Sequence, residues 1–480
     1  MHRGPTLMKA STNLSTAGHG GSADARRWLA LCVLLAGTLL PPLDFFIVNV
    51  ALPAIQADLQ ATPSLAQLVV SVYAAAYAVT LILGGRLGDL YGRKRMFIAG
   101  MLGFGAASAL CGCAPSPGVL VAGRLLQGIS AAVMAPQSLA SIHAIFPAGE
   151  KARALGMYGA TFGAASVAGQ LLGGVLVSAD LFGLGWRAVF LINLPVIALA
   201  IPAAIAWVRD SRAQQAARLD VVGALLLAAG LLALVVPLIE GRERGWPAWC
   251  VGVLALAPPL LLAFWRCEQR QERGGGAPLV PPSALASTGL RRSLAASFFF
   301  YTLAPFFLVF AVYEQGGLGH DPLTAGLAVL PLGIGFLLGP FSSAAVARRL
   351  GADTAAFALG LEVVGVLSVA GLTWVDAPGW LPAPLFLIGL GQGMALPALV
   401  RLNVDQVDAR WAGLAAGLVN ATLQISAAVS TAIIGGLFFA LSSRGTGPEA
   451  VKAAFPVALL AIGAGLGLAA VLSRKARARP

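Results

Sequence analysis

The sequence predicts an all-α polytopic membrane protein with fourteen transmembrane helices, on three observations. Its 480 residues are 58% hydrophobic and only 11% charged, whereas an average soluble domain carries about 25% charged residues. The hydrophobic residues fall in runs long enough to cross a bilayer core of about 30 Å, at about 1.5 Å of helix per residue. The net charge of +12 comes from short basic groups between those runs, a distribution typical of cytoplasmic membrane loops rather than of a nucleic-acid-binding surface.

The helices are predicted from apolar runs that are bounded by charged residues or by Gly and Pro clusters. In chain order they cover residues 28–52, 66–87, 95–114, 117–144, 152–178, 186–207, 220–240, 247–266, 291–315, 323–347, 354–375, 381–402, 411–441 and 452–473. An even number of spans places both termini on one side of the membrane. Most Lys and Arg residues fall on that side, and apart from the intramembrane Arg124 the exceptions are Arg187, Arg242, Arg244, Arg444 and Lys452. This asymmetry predicts that the N- and C-termini are cytoplasmic.

The segments outside the helices are polar. Residues 1–27 are rich in Gly, Ser and Thr, which predicts a disordered cytoplasmic tail, and residues 474–480 form a second, basic tail. Residues 267–290 are the longest polar stretch inside the chain. They predict a cytoplasmic linker, because nothing in them could build a separate soluble domain. A linker near the middle of an even set of spans is typical of membrane proteins built from two related halves.

A charged hairpin, residues 84–97, lies between the second and third predicted helices. It contains the pattern G-x-x-x-D-x-x-G-R-[RK], formed by Gly85, Asp89, Gly92, Arg93 and Lys94. This pattern resembles the signature of the major facilitator superfamily. The resemblance implies that superfamily's fold, with a six-helix half at 28–207, two inserted helices at 220–266 and a second six-helix half at 291–473. It also implies that the hairpin is a conformational latch that holds the outward-facing state.

Asp44 lies inside the first predicted helix, in the element L-D-F-F-I-V-N-V-A-L-P that covers residues 43–53. This element resembles the corresponding stretch of the fourteen-helix drug:proton antiporters within the superfamily. Arg124 begins the element R-L-L-Q-G-I-S-A-A in the fourth helix, which is similar to a superfamily element. Counted at about 1.5 Å per residue, Asp44 lies about 24 Å from the cytoplasmic end of its helix and Arg124 about 10 Å from the outer end of its own. Both therefore fall in the outer half of the membrane.

A carboxylate in a membrane span costs about 2.5–3.5 kcal/mol, so Asp44 requires water, a proton or a partner. We predict that Asp44 carries the proton and that Arg124 tunes it, because burial favours the neutral acid whereas a nearby guanidinium favours the carboxylate. Two simpler roles remain open. Asp44 would then be a capped acid at a helix break made by Pro41 and Pro42, and Arg124 a base that snorkels or only packs the bundle.

The fifth predicted helix is rich in glycine. One of its elements resembles the antiporter pattern G-P-x-x-G-G and contains Gly169, Gln170, Gly173 and Gly174, with the glutamine in place of the proline. Small residues let helix backbones approach closely. These glycines therefore fit tight packing against a neighbouring helix and an antiport-specific role equally well.

Six further side chains are candidates for a substrate cavity: Phe45, Asn49, Gln127, Glu314, Gln315 and Glu362. Glu362 lies about 12 Å into its helix, where a packing or hydrogen-bonding role competes with a second proton site. Glu314 ends the ninth predicted helix, where it would either contact a cationic substrate at the outer mouth or be a solvated helix end. The polar candidates are few and are separated by apolar residues, which favours a hydrophobic ligand over a polar nutrient.

Neither a metal nor another cofactor is predicted, because the five cysteines do not combine with His or carboxylates into a tetrahedral set. No lysine follows a glycine as in a phosphate-binding loop, which excludes ATP as a direct fuel. The predicted function is therefore not enzymatic. It is export of amphipathic, aromatic or cationic compounds across the bacterial inner membrane by a monomer, with protons, a small substrate and the lipid bilayer as partners. The alternatives are a proton-coupled importer of a polar nutrient and a non-transporting receptor or scaffold.

Overall fold

A computed structural model describes residues 20–212, 220–276, 278–407, 412–445 and 447–476. Within these residues, fourteen helical spans are long and apolar enough to cross a membrane. The predicted number of spans is therefore confirmed, and the protein is a multi-pass membrane protein.

The first eight spans form one continuous series. Six of them are α1 (Gly20–Asp58), α2 (Pro63–Tyr91), α3 (Arg93–Gly112), α4 (Pro117–Ile145), α5 (Ala148–Ala179) and a span divided into α6 (Ala188–Leu191) and α7 (Asn193–Trp207). The next two are α8 (Val221–Glu243) and α9 (Ala248–Arg273).

The last six spans include three that are interrupted. They are α10 (Thr288–Phe300) with α11 (Pro305–Val312), α12 (Pro322–Ala328) with α13 (Leu330–Leu350), α14 (Thr354–Trp374), α15 (Pro382–Val404), α16 (Ala412–Ser430) with α17 (Gly436–Ser442), and α18 (Pro448–Lys475). Two π-helical turns also occur here: Tyr313–Gly317 follows α11, and Thr431–Gly435 separates α16 from α17. Such turns widen a helix locally and leave backbone groups free to bond other partners.

Successive spans run in opposite directions, so the bundle has two ends. The hairpin side is the end at which α2 meets α3, and it also holds the start of α1 and the end of α18. The far side is the end at which α1 meets α2. On the hairpin side the Arg292 Nη1 donates to the Lys475 carbonyl at 3.1 Å, which ties the start of α10 to the end of α18.

The hairpin is tighter than the predicted helix ends at 87 and 95. α2 continues to Tyr91, α3 begins at Arg93, and Gly92 alone makes the turn with φ of 105°. Backbone in this region favours glycine. A Cβ at Gly92 would also lie 2.7 Å from both carboxylate oxygens of Asp210, so the close approach of that side chain requires glycine as well.

The two predicted tails and the predicted linker differ from the structure where they can be compared. The tail at 1–27 was predicted to be disordered, but residues 20–27 already belong to α1; residues 1–19 lie outside the described residues. The linker predicted at 267–290 is also partly helical, because α9 continues to Arg273. At the other terminus α18 includes Arg474 and Lys475, and residues 477–480 are outside the described part of the chain.

Packing divides the spans into two groups that meet along a seam. α1 packs on α5, α2 and α3 pack on α4, and in the second half α15 packs on α13 and α14. The seam is formed by α5 against α12 and α13, and by α2 against α16. α8 and α9 pack on each other, and α8 also packs on α2.

Hydrogen bonds join the two halves toward the far side. Gln315 Nε2 donates to the Val50 carbonyl at 2.9 Å, and Gln67 Nε2 donates to the Thr431 carbonyl at 3.1 Å. The Leu323 N–H donates to Ser178 Oγ at 3.1 Å. These bonds, together with the edge-to-face contact of Phe46 with Phe307, close the far side of the seam.

Candidate functional site

Asp44 and Arg124 form a buried ion pair between α1 and α4. Arg124 Nη1 contacts Asp44 Oδ2, and neither side chain has exposed surface. The pairing follows from the depths of the two residues in antiparallel helices. A buried charge is tolerated when it is both paired and hydrogen-bonded.

Three polar side chains complete the surroundings of Asp44. Gln127 Nε2 donates to Asp44 Oδ1 at 3.0 Å, and Asn193 Nδ2 donates to the same oxygen at 3.3 Å. Ser108 Oγ accepts from Gln127 at 2.9 Å and from Asn193 at 3.3 Å. Asp44 is thus held in a polar cluster built by α1, α3, α4 and α7.

Arg124 is fixed by contacts other than the ion pair. Its Nε donates to the Val69 carbonyl at 2.9 Å, and its Nη1 also donates to Gln127 Oε1 at 2.9 Å. Its guanidinium carbon lies 4.2 Å from the centre of the Tyr73 ring, a distance at which a cation is attracted to the aromatic face. The Tyr73 hydroxyl donates to the Pro41 carbonyl at 3.2 Å, which connects α2 to the proline pair before Asp44.

A glycine allows α4 to approach α2 at this depth. A Cβ at Gly128 would lie 2.5 Å from the Tyr73 carbonyl oxygen. The glycine thus brings Arg124 and Gln127 within reach of α2 and α1. In this conformation neither Asp44 nor Arg124 has exposed surface.

The residues predicted to form a latch make contacts within the first half. Arg93 pairs with Asp89 at 3.0 Å and donates through Nη1 to the Ala140 carbonyl of α4 at 3.2 Å. The Lys94 N–H donates to Asp210 Oδ1 at 3.2 Å, and the Lys94 Nζ donates to the Ile205 carbonyl at 2.6 Å. Gly85 faces α4, since a Cβ added at Gly85 would lie 3.8 Å from the Pro136 Cβ. The hairpin is therefore tied to α4 and to the segment around the end of α7.

The glycine element of α5 faces two different helices. A Cβ at Gly169 would lie 2.7 Å from the Phe46 Cβ, and one at Gly173 would lie 2.9 Å from the Val50 Cβ, both in α1. A Cβ at Gly174 would instead lie 2.7 Å from the Pro322 carbonyl oxygen, at the start of α12 in the other half. Gln170 is buried and its carbonyl lies against Gly326 of α12. The element therefore packs one half together and also forms part of the seam.

The remaining cavity candidates do not converge on one site. The Phe45 ring lies edge-on to Phe307 at 6.3 Å, and Asn49 Nδ2 donates to the Phe45 carbonyl one turn earlier at 2.6 Å. Gln315 is used in the bond across the seam described above. Glu314 is buried, and its Oε2 lies 2.8 Å from His320 Nδ1, which excludes a solvated helix end.

Glu362 lies apart from the Asp44 cluster, between α14 and α15. It is fully buried, and in the described part of the chain neither carboxyl oxygen has a hydrogen-bond partner. A Cβ at Gly391 would lie 2.7 Å from the Glu362 Cγ. The sequence left open a packing or hydrogen-bonding role and a second proton site, and of these hydrogen bonding is not observed among the described residues.

Ser108, Asn193 and Tyr73 were missed as members of the site. Asn193 stands in the stretch W-R-A-V-F-L-I-N-L-P at 186–195, whose Trp186 and Arg187 are typical of an interfacial anchor. Asn193 is the first residue of α7, next to the break that separates it from α6, and an amide side chain at that position of an apolar span was the available signal. Ser108 and Tyr73 gave no signal, because neither belongs to one of the sequence elements described above.

Comparison with known proteins decides the family. The profile of the Major Facilitator Superfamily matches residues 34–431. The chain belongs to this superfamily. Its family and its fold class were therefore predicted correctly, and the protein is a membrane transporter rather than an enzyme.

Three individual proteins are similar to this major facilitator. "Probable actinorhodin transporter" of Streptomyces coelicolor is 40% identical over 428 residues, which cover 87% of this chain and 73% of that protein. "Puromycin resistance protein pur8" of Streptomyces alboniger is 38% identical over 451 residues, which cover 89% of this chain and 86% of that protein. The solved peptide transporter POT in complex with sulfate matches with a TM-score of 0.63 and 16% identity, over 92% of this chain and 93% of that one. At this identity the last comparison supports the fold alone.

Proposed function

We propose that the protein is a proton-coupled exporter of amphipathic, aromatic or cationic compounds in the bacterial inner membrane. The observation that carries the proposal is the buried pair of Asp44 and Arg124, surrounded by hydrogen-bond donors but closed to water. A scaffold or receptor has no use for such a costly pair. The two relatives, named for the transport of actinorhodin and for resistance to puromycin, support export of compounds of this kind.

The hairpin side is proposed to be cytoplasmic, with both termini there. The two halves, 28–207 and 291–473, then rock against each other, with the inserted helices at 220–266 beside them and a single chain as the working unit. The conformation described here is closed on the far side, where the two halves are joined by hydrogen bonds. Opening the far side separates Gln315 from Val50 and α5 from α12.

Coupling follows from the protonation of Asp44 when those contacts open. Protonation removes its charge and weakens its attraction to Arg124, which cannot itself lose a proton in this range. A cationic substrate then competes with the proton for the same carboxylate. One proton moving down about 100 mV and about one pH unit releases about 3.7 kcal/mol, enough for a roughly 500-fold gradient of an uncharged substrate. For a monovalent cation exchanged one for one the potential term cancels, and the remainder of about 1.4 kcal/mol supports a roughly tenfold gradient.

The experiment that tests the direction of transport uses intact cells. Cells that express the protein should accumulate less of a fluorescent lipophilic cation than cells with an empty vector. A protonophore should abolish this difference, because it removes the driving force. Higher accumulation in the expressing cells would instead assign import.

A further inference from the structure

Two buried acids lie side by side on the hairpin side, outside the Asp44 cluster. Asp220 immediately precedes α8 and Glu268 lies near the end of α9, and they are 2% and 0% exposed. A methyl group added at Gly223 would overlap both Asp220 Oδ2 and Glu268 Oε1, so these two oxygens lie side by side. Among the residues that the structure describes, neither oxygen has a hydrogen-bond donor.

The second oxygen of each acid is held by donors. Asp220 Oδ1 accepts from the Gly223 N–H at 2.8 Å and from Gln271 Nε2 at 2.6 Å. Glu268 Oε2 accepts from the Val280 N–H at 2.6 Å. Both carboxyl groups are thereby fixed with their free oxygens toward each other. Two carboxylates repel in this arrangement, whereas one proton between them converts the repulsion into a charge-assisted O–H···O bond.

The Val280 bond belongs to a docked part of the linker. Residues 278–283, which we call the linker strap, lie against α2 and α9. Leu279 has no exposed surface and packs in a cluster that includes Leu227, Phe264 and Leu83. The Pro278 carbonyl accepts from Arg86 Nη2 of α2. The strap therefore connects the inserted helices to the helix that carries the hairpin.

A separate hydrogen bond holds the other end of the strap. The Ser283 N–H donates to Glu272 Oε2 at 3.1 Å, and the Ser283 hydroxyl also contacts Glu272. Glu272 is one turn beyond Glu268 on α9. It is not part of the acid pair, so it serves as a reference point on the same helix.

The charges around the pair determine what one proton changes. The charged or titratable groups near Asp220 and Glu268 are Arg86 on α2 and Cys267 and Arg270 on α9. The linker strap contributes none. Burial opposes the ionisation of Asp220, but a proton on Glu268 would donate to it, and this bond together with those from the Gly223 N–H and Gln271 holds the pKa of Asp220 below its usual value. Asp220 is thus the ionised member, and the shared proton lies on Glu268. Losing that proton adds a second buried negative charge beside Arg86.

We propose that Asp220 and Glu268 share one proton and that this protonated pair fastens the linker strap to the inserted helices, so that the strap is docked at low pH and released as the pH rises. The sign follows because the docked strap, through buried Leu279, excludes water from the pair and so favours its singly protonated form. This effect opposes and exceeds that of the Val280 N–H, which favours the carboxylate of Glu268, so the docked state is favoured by protons. Release would free Leu279 and loosen the contact with Arg86 beside the hairpin. A dependence of transport on cytoplasmic pH would follow, and this consequence alone rests on the proposed function.

Hydrogen exchange of the purified full-length protein in detergent tests the proposal. Three prolines leave the strap with exchangeable amides only at Leu279, Val280 and Ser283. The Val280 amide reports the Glu268 bond, and the Ser283 amide reports the Glu272 bond. Exchange at single residues, resolved by fragmentation, would be compared between the wild type and Glu268→Gln from about pH 6 to about pH 9. Comparison at equal pH cancels the intrinsic pH dependence of exchange.

Glu268→Gln keeps an N–H donor toward Asp220 at every pH, so its strap should stay docked. Docking of the wild-type strap should weaken by up to about tenfold per pH unit once the proton is lost. The ratio of wild-type to Glu268→Gln exchange at Val280 is therefore expected to rise with pH. Glu272→Gln is the matched control and should leave the pH dependence at Val280 as in the wild type.

A ratio at Val280 that stays constant across the pH range would overturn the proposal. If Glu268→Gln does not fold, Asp220→Asn takes its place, because the asparagine amide also donates toward Glu268 at every pH. The same rise in the ratio is expected for it, and a constant ratio has the same meaning. Since the readout is exchange and not transport, this result is independent of whether the protein exports its substrate.

Discussion

Arg124 contacts the carboxylate of Asp44 through a single nitrogen, Nη1, rather than through a two-nitrogen fork. Its second terminal nitrogen, Nη2, is buried and has no hydrogen-bond partner among the described residues. A bidentate pair is the stronger arrangement. The observed pair is therefore buried but incompletely satisfied, which makes it easier to separate when protonation removes the charge of Asp44.

Gln127 should set the pH at which the transporter works. Gln127→Ala removes a donor from the ionised Asp44, and hydrogen bonds to charged groups are worth about 1.5–3 kcal/mol. Proton binding then becomes more favourable, so the pH of half-maximal transport should rise by about one unit or more. The measurement is uptake into inverted vesicles as a function of pH. Gln137→Ala is the control, because Gln137 is a buried glutamine on the same helix that donates to the Gly84 carbonyl instead; an equal shift in both variants would contradict the assignment.

The Asp89–Arg93 pair should control transport rate rather than substrate affinity. Asp89→Asn or Arg93→Ala breaks the contact that orders the hairpin against α4, far from the Asp44 cluster. We expect a lower transport rate with nearly unchanged substrate binding, measured by flux and by equilibrium binding on the same preparations. Arg95→Ala is the comparison, because the Arg95 side chain is 69% exposed and surface ion pairs contribute about 0–1 kcal/mol. Normal flux in both pair variants would show that the hairpin is not a latch.

Gly174 should be required for closure of the far side. Gly174→Val adds a branched side chain where a Cβ alone would lie 2.7 Å from the Pro322 carbonyl oxygen and 2.8 Å from the Leu323 Cα. Because backbone atoms cannot yield as a flexible side chain does, α5 and α12 should stay apart and transport should fall. Gly159→Val, on the same helix with open space at its Cβ, should transport normally.

The same pair of variants can be compared by distance measurement. Spin labels at the far-side residues Phe182 and Glu449, exposed by 96% and by 82% of the side chain, report the separation of the two halves. Gly174→Val should shift the distance distribution to longer values, whereas Gly159→Val should not. Identical distributions would show that the glycine is not a closure contact.

Replacing Glu362 with an apolar residue should stabilise the folded protein. Both of its oxygens lack partners, and an unsatisfied buried polar group costs about 1–3 kcal/mol. Glu362→Leu is therefore expected to raise the thermal unfolding temperature of the protein in detergent. Glu314→Leu is the matched change at a buried acid that has a partner, His320, and it should lower the temperature. A fall for Glu362→Leu would mean that the carboxyl group has a stabilising partner.

The sequence was sufficient for the span count, for the hairpin and for the pairing of Asp44 with Arg124. The first two depend on the length and bounds of apolar runs, and the third on the depth of each residue along its helix, which the rise per residue gives directly. It was not sufficient for Ser108 and Asn193, or for the division of Gly169 and Gly174 between two neighbours. Those contacts depend on how each helix is rotated about its axis, and apolar membrane helices carry little periodicity to indicate it. The docking of the linker strap was also hidden, because it is held largely by backbone groups.

The most direct test of the account is gradient-driven transport by Asp44→Asn in proteoliposomes. Asparagine keeps the size of the side chain but cannot bind and release a proton. With an imposed pH gradient, this variant should show no uphill movement of a fluorescent lipophilic cation, while downhill exchange persists. Asp58→Asn, at the exposed end of the same helix, is the control and should transport uphill. Undiminished uphill transport by Asp44→Asn would contradict the account and place the coupling site elsewhere, with Glu362 the first residue to test.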